Sequence, residues 1–264
     1  MLLAIDVGNT QTVIGMYRRG SGSDGLVDHW RIATNAVRTS DELALLVSDL
    51  LATAGHDWKI DVAGVAISSG VPSVTYELRR MCEKYLGIEA VVLEAGVKTG
   101  MPVLYDNPKE VGADRIANAV GVLDLYGGPA IVVDFGTATT FDVISRNGEY
   151  LGGAIIPGIE ISLDALFGRA AALRRVELIE PRSVIGKTTV ESIQSGVIYG
   201  YSSMIDGMCD RIQELTGDAH IVSTGGLAEL IAPFTESIEK NEPWLTLHGL
   251  RLIWEKNRPA SLNT

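Results

Sequence analysis

The sequence predicts an α/β protein made of one duplicated domain, and three observations predict it. First, a short apolar strand running into Asp-x-Gly with a following Thr occurs twice. The two copies are Asp6-Val7-Gly8-Asn9-Thr10 and Asp134-Phe135-Gly136-Thr137-Ala138, 128 positions apart. Second, each copy leads into a hairpin pattern of alternating apolar residues. Third, each hairpin is followed by helical segments with apolar residues at about 3.6-residue spacing. A repeat this long points to duplicated domains rather than a solenoid. The expected division is 1–117 and 118–264, with the last helix folding back on the first domain.

In the first half, Leu2 to Val7 reads as a buried strand, and Thr12 to Tyr17 and Leu26 to Ile32 as the next two. The glycine-rich turn Arg19 to Gly25 joins that pair. Thr39 and Glu42 form a capping box. The helix behind it carries Leu43, Leu46, Val47, Leu50, Leu51 and Ala54, and Gly55 ends it. A strand at Val62 to Ser68, a helix at Pro72 to Leu86 and a strand at Ala90 to Leu93 complete the half. The second half opens with strands at Ala130 to Val133, Thr140 to Ile144 and Tyr150 to Ile156. Helices are expected at Pro157 to Leu173 and Thr189 to Leu215. Ala219 to Ser223 is a strand turning through Thr224-Gly225-Gly226 into a helix. Trp244 to Leu250 then leads into a final short helix.

The bulk properties bound the function. The chain has 264 residues, 46% of them hydrophobic, and a net charge of −11. That is enough apolar material for one or two cores. An acidic chain disfavours sequence-independent nucleic-acid binding, which needs Lys and Arg against phosphates. With no basic run longer than two residues, an anionic membrane surface is not an expected partner either. No stretch approaches the ~20 apolar residues of a membrane span. Without a basic n-region and apolar h-region at the N-terminus, no signal peptide is expected. Cys82 and Cys209 have no CxxC or nearby His, so they read as ordinary thiols of a reducing compartment. The expected location is cytoplasmic.

The paired turns carry the chemistry. A tight hairpin turn presents backbone N–H groups, and glycine lets a phosphate approach them. Asn9, Thr10, Thr137 and Thr139 add side-chain donors. Asp6 and Asp134 add carboxylates suited to a hydrated cation. Either motif alone is also an ordinary β-turn, since Asp, Gly, Asn and Thr favour turns. At equivalent positions of a repeat, they predict two loops gripping a nucleotide triphosphate in an interdomain cleft. Asp114 and Arg115 in Gly112-Ala113-Asp114-Arg115 read, on the residues alone, as a helix-start ion pair. Tyr105 reads equally as a core or interface aromatic.

The succession DVGNT, YDNP, GADR, DFGTATT, GGAIIPGI, GKTT, TGGLA and LTLHGL resembles the type III pantothenate kinases from residue 1 to about residue 257. DVGNT alone marks only the superfold. GADR, then DFGTAT about twenty residues later, then GGAIIPG, is much more specific. The resemblance implies duplicated actin-like (ribonuclease H-like) domains and a homodimer. It implies ATP, Mg²⁺ and a monovalent cation, K⁺ or NH₄⁺, with pantothenate phosphorylated to 4′-phosphopantothenate at the start of coenzyme A synthesis. Residue by residue, it makes Asp6, Val7, Gly8, Asn9, Thr10, Gln11, Thr12 and Val13 the first ATP loop. Thr137 becomes a second ATP contact and Asp134 the monovalent-cation ligand. Asp114 becomes the general base, and Tyr105, Gly112, Ala113, Asp114, Arg115 and Thr189 the pantothenate contacts.

Other matches fail on context. Gly20-Ser21-Gly22-Ser23-Asp24-Gly25 fits GxGxxG but precedes a strand rather than a helix. Gly186-Lys187-Thr188 resembles a P-loop end, yet Pro181 stands where its first glycine would be. Thr188 and Glu191 instead read as a capping box whose helix N-terminus suits an anion. His29, His56, His220 and His248 are scattered singly, without metal-ligand spacing. Two other functions remain open to this scaffold. One is a non-catalytic nucleotide-binding regulator, expected to lack Asp114 or a loop residue. The other is a different actin-like enzyme, such as a sugar kinase or polyphosphate phosphatase, which GADR and YDNP argue against.

Overall fold

The computed structural model describes residues 1–18, 20, 25–170 and 173–258. Most of the Arg19 to Gly25 turn therefore lies outside the described residues. The chain divides into two compact units. One comprises Met1–Met101, Asp106–Leu125 and Leu245–Thr264; the other comprises Pro102–Tyr105 and Tyr126–Trp244. Position 117 falls inside a helix, Ala113–Tyr126, that runs unbroken past it.

The first unit holds strands β1 (Leu2–Val7), β2 (Gln11–Tyr17), β3 (Leu26–Ala33), β4 (Gly64–Ser69) and β5 (Val91–Val92), side by side as β3-β2-β1-β4-β5. The β1–β2–β3 meander is antiparallel, and β4 and β5 add in parallel. Helix α1 (Ser40–Thr53) starts at the expected capping box: Glu42 N–H donates to Thr39 Oγ1 and Thr39 N–H to Glu42 Oε2. A short helix α2 (Trp58–Asp61), capped by Asp57, precedes β4. Helix α3 (Pro72–Met81) ends in a π-turn at Cys82–Leu86, which completes the helix expected at Pro72 to Leu86. Leu3, Ile5, Val7, Ile14, Val65 and Ile67 pack beneath α1 and α3.

The second unit repeats the plan. Its strands are β6 (Ala130–Phe135), β7 (Ala138–Ile144), β8 (Tyr150–Pro157), β9 (His220–Thr224) and β10 (Lys240–Asn241), ordered β10-β9-β6-β7-β8. Read from β8, this is the order and sense of the first sheet. Even the irregularity recurs, between Met16 and Tyr17 in one and between Val143 and Ile144 in the other. Helices α5 (Ile159–Arg169), α6 (Thr189–Thr216) and α7 (Ala228–Ile231) cover Ile131, Val133, Phe135 and Phe141.

Three expectations need correction. Helix α5 ends at Arg169 rather than Leu173; Gly168 weakens its last turn, and Ala170 is extended. Thr188 caps α6 by accepting from Glu191 N–H, but Glu191 returns its carboxylate to Lys187 N–H, so the box is not reciprocal. Leu245 to Leu250 is helix rather than an approach to one: α8 spans Leu245–Asn257. Its face pattern is hidden because it is buried on two sides. Leu247 and Trp254 approach Gly15 and Gly64 on the sheet, while Gly249 meets Ala117 of helix α4 (Ala113–Tyr126). A Cβ on Gly249 would lie 1.8 Å from the Ala117 carbonyl oxygen. The two helices also share a Thr246 to Asn118 bond of 2.7 Å and a His248–Asp124 contact of 2.8 Å.

Gly249→Ala forces backbone apart, so it is expected to cost about 3 kcal/mol. Gly207→Ala, in the open on α6, is expected to stabilise by about 0.5–1 kcal/mol. Urea unfolding at unchanged m-value checks both. Burial pushes the Cys82 thiol up to about 12 and the Cys209 thiol up to about 11. Both thiols are free and buried, so a maleimide at pH 7 is expected to label them in urea and not in the native protein.

Candidate active site

At the end of β1, Val7 pairs with Thr12, and Gly8, Asn9 and Thr10 make the turn. Gly8 N–H donates to the Gln11 carbonyl at 3.0 Å. A Cβ at Gly8 would sit 3.1 Å from that same oxygen, so a side chain there would make the turn give by a few tenths of an ångström. Thr34, just past β3, latches the turn from outside. Its N–H donates to the Thr10 carbonyl at 3.0 Å and its hydroxyl to the Gly8 carbonyl at 2.7 Å. Its Oγ1 also lies 2.8 Å from Thr12 Oγ1. Asn9, Thr10 and Gln11 stay exposed, and Asp6 is half-buried beside them. Thr34 was not legible as a loop residue, because its partner in sequence lies more than twenty residues back.

The β6–β7 turn is built alike. Gly136 N–H donates to the Ala138 carbonyl at 3.1 Å, Gly136 and Thr137 are exposed, and Asp134 is half-buried. Asp6 faces Val13 and Ser68 across the strands; Asp134 faces Thr140 and Thr224. The turn after β9 lies directly against Asp134. Gly225 has φ +94, and a Cβ there would fall 2.5 Å from Asp134 Oδ1. From sequence, Thr224-Gly225-Gly226 reads as a turn against the adenosine; its contact with the Asp134 carboxylate follows from the parallel pairing of β9 with β6.

The first turn of α4 holds Gly112 to Arg115. Asp114 is exposed and bends back, its Oδ1 accepting Arg115 N–H at 2.8 Å. That carboxylate occupies the space a Gly112 side chain would need, 2.5 Å from the position of its Cβ. Arg115 is turned inward and only 8% exposed. The Oδ1 bond joins the Asp114 side chain to the Arg115 backbone.

A model of the type III pantothenate kinase family matches residues 2–211. The chain belongs to this family. A type III pantothenate kinase of Streptomyces avermitilis is 54% identical over 97% of this chain and 98% of its own length. One from Moorella thermoacetica is 53% identical over 97% and 100%. The fold is the actin-like ATPase fold, shared at 12% identity with a solved activator of 2-hydroxyisocaproyl-CoA dehydratase from Clostridium difficile with bound ADPNP. That similarity has a TM-score of 0.56 and covers 100% of this chain and 97% of that one.

Within this kinase, the first unit carries the Asp6 to Val13 loop together with Gly112, Ala113, Asp114 and Arg115. Asp134, Thr137, Tyr105 and Thr189 ride on the second. Thr189 is the exposed first residue of α6. The chain before it is braced by Glu191, which accepts from Lys187 N–H at 2.8 Å and is ion-paired to Arg182. The Lys187 bond, then Arg182, holds the Glu191 carboxyl below its usual range.

Gly112→Ala displaces the Asp114 carboxylate while leaving the core untouched. The expected result is a fall in kcat of roughly tenfold or more with little change in melting temperature, read by steady-state kinetics beside thermal unfolding.

Proposed function

We propose that the residues above divide the labour of ATP-dependent pantothenate phosphorylation as follows. The reaction yields 4′-phosphopantothenate, which opens coenzyme A synthesis. Asp114 is the general base. One of its oxygens is fixed by the Arg115 N–H, which leaves Oδ2 for the primary hydroxyl of pantothenate. A primary alcohol is a weak nucleophile at neutral pH. A carboxylate within hydrogen-bond reach accepts its proton as the oxygen attacks the γ-phosphate in line. The proton ends on Oδ2 and ADP leaves. The exposed, pre-oriented carboxylate of Asp114 carries this assignment.

Arg115 binds the pantothenate carboxylate through its planar fork. Tyr105, Gly112, Ala113 and Thr189 complete the acceptor site, with Thr189 using the N-terminus of α6. Asp6, Val7, Gly8, Asn9, Thr10, Gln11, Thr12 and Val13 hold ATP phosphates through the first turn, and Thr137 does so from the second. Two carboxylates among hydroxyls suit hard cations. Ser68 Oγ, buried opposite Asp6 with no hydrogen-bond partner among the described residues, fits a hydrated ion there. Mg²⁺, when bound, neutralises charge on the transferring phosphate. Asp134 takes the monovalent cation, K⁺ or NH₄⁺. The same reading carries a homodimer and a cytoplasmic setting; among the described residues no helix is long and apolar enough to cross a membrane.

Coupled ADP release with pantothenate and Mg-ATP, in K⁺, NH₄⁺ and Na⁺ buffers, tests the assignment. Turnover is expected to require pantothenate and to rise in K⁺ or NH₄⁺. Asp114→Asn is expected to lower kcat by about 10²–10⁴ with ATP KM little changed. An Asp114→Asn enzyme within a few fold of wild type would remove Asp114 from the chemistry.

A further inference from the structure

One departure of the second sheet from the repeat lies inside β7. Position 5 of β2 is Gly15, and the equivalent position of β7 is Asp142. In the first unit that glycine gives room to the Leu247 side chain from α8. In the second unit the place is taken by a carboxylate that is 0% exposed. Tyr150, also 0% exposed, donates its hydroxyl to Asp142 Oδ1 at 2.7 Å. Thr140 Oγ1 donates to Oδ2 at 3.2 Å. Burying a carboxylate is costly even when it is hydrogen-bonded, and apolar residues of similar volume fill such a space at less cost. The first unit shows that this fold accepts the apolar solution. The polar pair has one reason visible within this unit.

That reason lies in what Tyr150 supports. Residues 102–105 are tied to it by backbone: Tyr150 N–H donates to the Pro102 carbonyl and Leu104 N–H to the Tyr150 carbonyl, both at 2.8 Å. Val103 and Tyr150 form a parallel bridge. The Tyr105 ring then rests on the Tyr150 ring, with centroids 6.5 Å apart and planes at 52°. Gly152 also lies against this ring: its absent Cβ would be 3.3 Å from Tyr105 Cδ2 and Cε2. Gly152 has φ +117, so the strand turns there in a way L side chains rarely adopt. Tyr105 is 37% exposed in spite of these contacts. It is an aromatic ring held in a fixed seat with one side open.

We propose that Tyr150 and Asp142 are positioning residues for the acceptor, and that with Gly152 they fix the attitude in which Tyr105 meets pantothenate. The inference rests on the assignment of Tyr105 to the acceptor site. A ring that is already immobile loses little freedom when substrate binds, so its contact counts more fully toward affinity. The Tyr150 hydroxyl, anchored on a buried carboxylate, stops the supporting ring from sliding along the sheet. Thr140 also faces Asp134 across the strands, so the anchor stands on the hairpin that carries the proposed cation ligand.

The test is steady-state kinetics with pantothenate and ATP varied separately, for wild type, Tyr150→Phe, Gly152→Ala and Tyr105→Ala, each with a melting curve. Tyr150→Phe keeps the ring and removes only the hydroxyl. Its pantothenate KM is expected to rise roughly tenfold, the scale of one hydrogen bond to a charged group, with ATP KM within about twofold. Gly152→Ala is expected to do the same by crowding the ring. A Tyr150→Phe enzyme with unchanged pantothenate KM, or with both KM values raised alike, overturns the proposal. If Tyr150→Phe does not fold, Gly152→Ala decides by the same readout. Tyr105→Ala separates the two levels. A raised pantothenate KM there beside an unmoved one in Tyr150→Phe keeps Tyr105 as a contact and sinks its support. An unmoved KM in Tyr105→Ala sinks both.

Discussion

The contact on which the first unit depends is the meeting of α8 and α4 at Gly249. Backbone lies against backbone there, with the Ala117 carbonyl where a side chain would otherwise stand. Helix α8 is itself seated on the sheet through Gly64, whose missing Cβ leaves the Trp254 indole in place. Helix α4 is thus fixed on α8, and α8 on β1 and β4. The Asp6 turn extends from the end of β1, and Asp114 sits on the first turn of α4. The two chemical elements of this unit are held in register by side chains that are not there. Phosphoryl transfer offers a protein little covalent work and much positioning, and small errors in geometry are costly. A glycine-seated crossing suits that demand, because close-packed backbone has fewer alternative arrangements than interdigitated side chains.

The second unit begins from the same sheet and spends it differently. Strand order, sense and the irregular step in the outer pair are conserved between the units, and so is the half-buried Asp near the end of the leading strand. Where the first sheet receives α8, the second carries the Tyr150 and Asp142 pair and the Tyr105 ring above it. Asp134 is enclosed as well, with the Gly225 backbone pressed against its carboxylate. A duplicated scaffold supplies two similar turns for phosphates. On the proposed assignment, the differences between the copies provide what phosphates alone do not need: a base, an aromatic contact and a closely packed carboxylate.

Most of the architecture was legible in the sequence because its signals are local. The Asp-x-Gly turns, the period-two strands and the Thr39 box each declare themselves within a few residues. The losses came where burial or distance erased the period. Helix α8 is apolar on two sides, so Leu245-Thr246-Leu247-His248 carries no single helical face. Glu191 follows Thr188 at box spacing, yet Lys187 and Arg182 claim its carboxylate, a competition that sequence spacing does not encode. Of the site, the two turns and the exposed Asp114 could be placed from motif and context. Thr34, the Gly225 to Asp134 contact and the Tyr105 seat could not, since each joins residues brought together only by strand pairing.

The charge balance sets the last condition. The chain carries a net −11, and both substrates are anions, so the average field of the protein opposes their approach. At physiological salt that field is screened within about 8 Å. On the proposed assignment, recognition rests on donors close to the ligand, Arg115 and the turn backbones among them. Arg115 is nearly buried, where a charge is screened least. On the proposed assignment, an acidic chain with a few positive points near the ligand disfavours polyanions such as nucleic acid and admits small anions that fit. This is the selectivity a small-molecule kinase requires.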